Sequence, residues 1–159
     1  MAETAVTCVL LVFLLVAAAQ DIKIRKIKNQ WNLTGMLAAF LLVFFRDDMT
    51  IPEFFFGVLT AFALSFFCWK LRAFQAGDAK MLCVLGGLFG WKLFLCDFAL
   101  TILLGGTVGL IFLLYRKLRF RKEEKENNIP FAVVIAAAAV VSWLFKQQLT
   151  AYLFQGLMG

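Results

Sequence analysis

Three aspartates stand where the chain is otherwise apolar. Asp21 directly follows an uncharged run, Asp78 directly precedes another, and Asp97 lies early inside a third. An ionised carboxylate at the centre of a hydrocarbon layer costs about 2.5–3.5 kcal/mol on insertion scales, less toward its edges, so acids kept there need a reason. Two carboxyls brought to one depth by different segments can hold a single proton, because like charges in contact keep one group protonated while its neighbour is a base. Such a pair can hydrolyse a peptide: the base takes a proton from the attacking water, and the acid hydrogen-bonds the carbonyl oxygen. The sequence has no histidine, which excludes Ser-His and Cys-His nucleophiles and His-ligated metals. The competing reading is that each aspartate flanks a helix beside basic neighbours, Asp21 with Lys23 and Arg25, Asp78 with Lys80. Spacing alone leaves the two readings level.

The elements that must position these acids are membrane spans. Of 159 residues 63% are apolar and 19 are Phe, against about 45–50% apolar in a soluble domain. The expected fold is therefore all-α, a polytopic integral membrane protein forming a single domain over residues 1–159. Six runs are predicted as spans: Thr4 to Gln20, Trp31 to Phe45, Phe54 to Trp69, Ala79 to Gly90, Leu93 to Tyr115 and Ile129 to Phe154. Crossing hydrocarbon takes about 20 residues, so the second and fourth are short. A five-span alternative joins the fourth and fifth runs through Gly90-Trp91-Lys92 as one kinked hairpin. Glu3 stands where a secretory signal needs a basic start, so the first run is read as a retained helix. Cys8, Cys68, Cys83 and Cys96 fall in separate apolar runs with no Cys-x-x-Cys pair, and are read as packing residues. Glycines 86, 87 and 90, like 105, 106 and 109, are read as sites of close helix packing.

The net charge of +6 is distributed by loop. Lys23, Arg25, Lys26, Lys28, Lys70, Arg72, Lys80, Arg116, Lys117, Arg119, Arg121, Lys122 and Lys125 follow spans one, three and five, leaving Arg46, Lys92 and Lys146 for the other side. Positive loops stay cytoplasmic, so both termini are expected outside and the basic loops inside. Basic loops attract anionic lipid head groups, making membrane lipids expected partners, whereas nucleic acid would need a further folded surface and is not expected. The stretch from Arg116 to Asn128 reads as a solvated connection. On this topology Asp21 and Asp78 share the cytoplasmic boundary and Asp97 lies near the outer one.

Local sequences around the two boundary acids add to this. Asp21-Ile-Lys-Ile-Arg-Lys-Ile-Lys-Asn29 resembles the Asp-x-Arg/Lys, Ile-Pro-Asn stretch after the first span of prepilin peptidases. Gln75-Ala-Gly77-Asp78-Ala-Lys80 is similar to the GxGD signature of that family, with its Lys two residues on. Gly86-Gly87-Leu-Phe-Gly90 resembles the family's glycine-containing fourth span, and Ile129-Pro130-Phe131-Ala132 its Ile-Pro-Phe start to the last span. The resemblance runs through most of the chain in the same order. It departs at Gln75, where the first motif glycine stands, and at Lys28, where the proline of Ile-Pro-Asn stands. The resemblance implies an aspartyl endopeptidase that removes the leader of type IV pilin-like precursors at the cytoplasmic face of the cytoplasmic membrane of a prokaryote. It implies Asp21 and Asp78 as the catalytic pair, supported by Gly77, Lys80, Asn29 and Pro130, with no cofactor and no metal. Bifunctional members also methylate the new N-terminus and usually carry a cysteine-paired insertion after span one. Here about ten residues join the first two spans, so the chain is similar to the compact enzymes of tight-adherence (Flp) pilus systems, with no separate methyltransferase domain expected. The partner so implied is a prepilin precursor; oligomeric state is left open. Two other classes compete: a small ion- or proton-coupled transporter using Asp97, and a non-catalytic assembly subunit of a pilus or secretion apparatus.

Overall fold

The computed structural model describes residues 2–25, 27–71, 74–118, 131–146 and 148. Among the described residues every regular element is helical: α1 (Ala2–Ile24), α2 (Asn29–Val43), α3 (Ile51–Lys70), α4 (Ala76–Leu118) and α5 (Phe131–Leu144). α1, α3 and α4 are long and apolar enough to cross a membrane, and α5 is a shorter apolar helix. The bundle is apolar on both its surfaces. Inside, α1 contributes the helical stripe Val6, Leu10, Phe13, Leu14 and Ala17, while outside, Leu15, Phe56, Leu59 and Phe67 are exposed. Water would not tolerate that outer face and hydrocarbon does, so the protein is a polytopic membrane protein.

α4 is two arms. Gly90 has φ 71° and ψ 168°, outside helical geometry, and a positive φ is open to glycine at little cost. A straight rod would hold Phe74 and Phe98 about 36 Å apart at 1.5 Å per residue. Their ring centroids are 6.2 Å apart, so the chain doubles back at Gly90. The fourth and fifth expected spans are thus one hairpin, with arms 76–89 and 91–118. The break leaves carbonyls of the first arm without helical partners, and Arg46 answers one of them: its Nη1 donates to the Leu88 carbonyl at 2.6 Å.

The first arm is the centre of the bundle, with Met81, Leu82, Val84, Leu85 and Leu88 almost wholly buried. α3 lies against it at backbone distance. A Cβ placed on Gly86 would stand 2.5 Å from both Ala61 Cβ and the Gly57 carbonyl oxygen, so no larger residue fits this crossing. α3 starts at a full capping box, in which Thr50 and Glu53 exchange hydrogen bonds, with Pro52 in the first turn.

Several boundaries differ from expectation in a consistent way. α1 runs four residues past Gln20, so Asp21 lies in its last turn, and α4 begins at Ala76, so Asp78 lies in its first turn. Helices continue beyond the apolar runs because the backbone ladder is satisfied whether or not side chains are charged. The free cysteines also divide: Cys96 is buried, Cys68 and Cys83 are half-buried, and Cys8 is exposed on the outer face instead of packed. Pro130 and the basic residues between 119 and 128 lie outside the described residues, as do residues 149–159.

Candidate active site

Asp21 and Asp78 come together at the end of the bundle where α1 stops and α4 and α5 begin. Both are buried, with 6% and 4% of their surface exposed. Asp21 Oδ2 accepts from the Ala132 N–H at 2.9 Å, a bond spanning 111 residues of sequence. Ala132 is in the first turn of α5, where N–H groups have no helical partner and the helix dipole favours an anion. Asp78 Oδ2 accepts from the Gln75 N–H at 3.2 Å, so the acid closes the start of its own helix as the third residue of a capping box does. The two helix starts are pressed together by Phe74 and Phe131, whose ring centroids are 5.0 Å apart.

The supporting residues fall into place around this pair. After α1, Arg25 turns the chain with φ 52°, and its N–H is accepted by the Asp21 carbonyl at 2.9 Å. The turn sends Ile27 back against α4, where a Cβ on Gly77 would stand 3.6 Å from Ile27 Cβ. Lys28 N–H donates to Gln20 Oε1 at 2.9 Å, closing the α1–α2 connection. Lys80 donates to Asn29 Oδ1 at 2.8 Å and ties α4 to the start of α2. It points away from Asp78, as two residues' separation on a helix requires. Among the described residues neither Asp21 nor Asp78 makes an ion pair; the pairs are Arg46–Asp48 and Lys146–Glu3. The competing reading, in which each acid caps or flanks a helix, is met at Asp78, which closes the start of α4.

Asp97 is elsewhere. It is fully buried between the second arm of α4 and α5, where Ser142 Oγ donates to its Oδ1 at 3.2 Å. Ser142 is ten residues up α5 from Ala132, about 15 Å along the axis. No group of three or more Asp, Glu or Cys able to hold a metal occurs among the described residues. The backbone donors at Ala132 and Gln75 were not foreseen, since a main-chain N–H leaves no mark in residue type; only the Ile-Pro-Phe start of the last span hinted at a helix terminus there.

With this geometry in place, comparison with known proteins is direct. Residues 8–114 match the profile of the Type IV leader peptidase family. The chain belongs to that family. Over 120 residues it is 29% identical to the prepilin leader peptidase/N-methyltransferase of Pseudomonas aeruginosa, covering 73% of this chain and 39% of that protein. The chain thus matches well under half the length of this curated relative. No solved structure matches it. Within this leader peptidase family member, Gln75 stands where the signature has glycine and still donates its backbone N–H to Asp78. Its φ is not positive, its side chain is exposed, and what Asp78 uses is its backbone N–H, which any residue but proline supplies.

Proposed function

We propose that this chain is the peptidase that cleaves the leader of a type IV, Flp-like prepilin, with Asp21 and Asp78 as the catalytic pair. One observation carries the reading: two buried carboxyls, 57 positions apart in sequence, stand at one end of a membrane bundle, each accepting from a backbone N–H at a helix start. Among the described residues no lysine or arginine forms an ion pair with either acid, and mutual repulsion and burial then favour a state with one proton between the two. The ionised member then draws a proton from water as it attacks the scissile carbonyl, and the protonated member donates to the carbonyl oxygen and later to the leaving amine. Which aspartate starts as the base is a property of the pair.

Under this reading the acids lie at the cytoplasmic face, both termini lie outside, and the basic connections contact anionic lipid. The connection from α1 to α2 is only residues 25–28, which leaves no room there for the insertion that accompanies methyl transfer, so the proposal is limited to leader cleavage. The test is a gel-shift assay with purified protein in detergent and candidate prepilin precursors. The native chain is expected to shorten a precursor and the Asp21→Asn/Asp78→Asn double variant to leave it intact. Shortening by the double variant would refute the assignment.

A further inference from the structure

Asp97 has no role in the chemistry above, yet it is fully buried, and its Oδ2 and the Thr101 hydroxyl one turn further on both lack hydrogen-bond partners. We infer that Asp97 is a positioning residue: through Ser142 it fixes the register of α5, and α5 in turn presents the Ala132 N–H to Asp21. This rests on the peptidase reading for its kinetic part.

The physical case begins with what holds α5. Its buried residues are Ala132, Val134, Ile135, Ala138, Ala139 and Ser142, four of the six small. In hydrocarbon no hydrophobic force draws helices together, so packing and interhelical hydrogen bonds decide their alignment. Rings pack at both ends, Phe131 on Phe74 and Trp143 on Phe89, and the small side chains between them leave polar contacts to complete the alignment. Two occur at the far end of α5: Ser142 Oγ to Asp97 Oδ1 at 3.2 Å, which ties it to α4, and Trp143 Nε1 to Thr7 Oγ1 at 3.0 Å, which ties it to α1. The near end carries the 2.9 Å bond from Ala132 to Asp21. A helix transmits axial shifts as a rigid rod over this length, and one residue's rise is about 1.5 Å, enough to break a hydrogen bond at the other end. Loss of the clasp therefore misplaces the donor that orients Asp21, and small misplacements remote from the chemistry can cost up to about a hundredfold in rate.

The experiment measures cleavage kinetics and hydrogen exchange on the full chain in detergent for Asp97→Ala, Ser142→Ala and Asp97→Asn. The asparagine oxygen accepts from Ser142 as the carboxyl does, and its amide places a donor on the side of the partnerless Thr101 hydroxyl. Both alanine variants should lose about tenfold to a hundredfold in kcat with KM unchanged, and Asp97→Asn should recover most of it. Exchange at the Ala132 amide should quicken in the alanine variants and stay slow in Asp97→Asn, with the α3 amides unaffected. Native kcat in either alanine variant, an effect confined to KM, or no rescue by asparagine would overturn the inference. Should the native chain cleave no precursor, the peptidase reading fails by itself, and exchange at Ala132 still decides the positioning role: unchanged protection in both alanine variants contradicts it.

Discussion

The two ends of the bundle treat their acids in opposite ways. At the Gly90 end three acids have ordinary structural partners: Asp48 is bound by Arg46 through two hydrogen bonds of 2.9 Å, Glu3 pairs with Lys146, and Glu53 closes the capping box of α3. At the other end Asp21 and Asp78 are more deeply buried and, among the described residues, make no ion pair. Their donors are backbone N–H groups at two helix starts, which orient a carboxyl without supplying a full opposite charge. The difference supports the proposal that one end is scaffold and the other the site.

Identical chemistry at the two ends sharpens the contrast. Asp78→Asn keeps an oxygen for the Gln75 N–H yet removes the titrating group, and should slow leader cleavage by about 10²–10⁴-fold, the usual range for a general acid or base. Asp48→Asn should leave the cleavage rate unchanged in the same assay. Next in size is Gly86→Leu: the crossing with α3 has no space for a side chain, and overpacking there should cost about 3 kcal/mol, read as a lowered unfolding temperature in detergent. Arg46→Ala strands the Leu88 carbonyl beside a side chain only 5% exposed and should destabilise by about 1–3 kcal/mol while sparing the rate of whatever protein remains folded.

The smallest effect concerns pH. The hydrogen bond from the Arg46 guanidinium holds the Asp48 carboxyl below its ordinary 3.8, against the opposing effect of partial burial. A depressed folded value means the contribution is complete above 3.8, where unfolded and folded forms are both ionised, and is lost as pH falls through the lower folded value. The difference in unfolding temperature between the native chain and Asp48→Asn should thus be flat at neutral and mildly acidic pH and close only in stronger acid.

Much of this was legible in residue types. Apolar runs gave the helices, and the charged residues between them gave the breaks. Asp21 and Asp78 were singled out because a carboxylate is costly at the edge of hydrocarbon. Helix ends were less legible, since α1 continues through Asp21 and α4 starts before Asp78 without any change in hydropathy to mark it. The hairpin was visible only as an alternative, because a single glycine with positive φ reverses the chain while the apolar pattern runs on through it. The particular partner of Lys80 was not legible either: Asn29 is 51 positions away, and nothing local announces a bond between two helix starts. The same holds for Ala132, whose contribution is a main-chain N–H. Asp97 was noticed as an unusual acid, but its partner on α5 required the packed bundle.

The central claim is that Asp21 and Asp78 act as one unit. Rates of leader removal by the native chain, Asp21→Asn, Asp78→Asn and the double variant test it most directly. Two members of one proton-sharing pair should be non-additive, with each single variant nearly as slow as the double. Independent, multiplying losses, or a native rate in either single variant, would contradict the account.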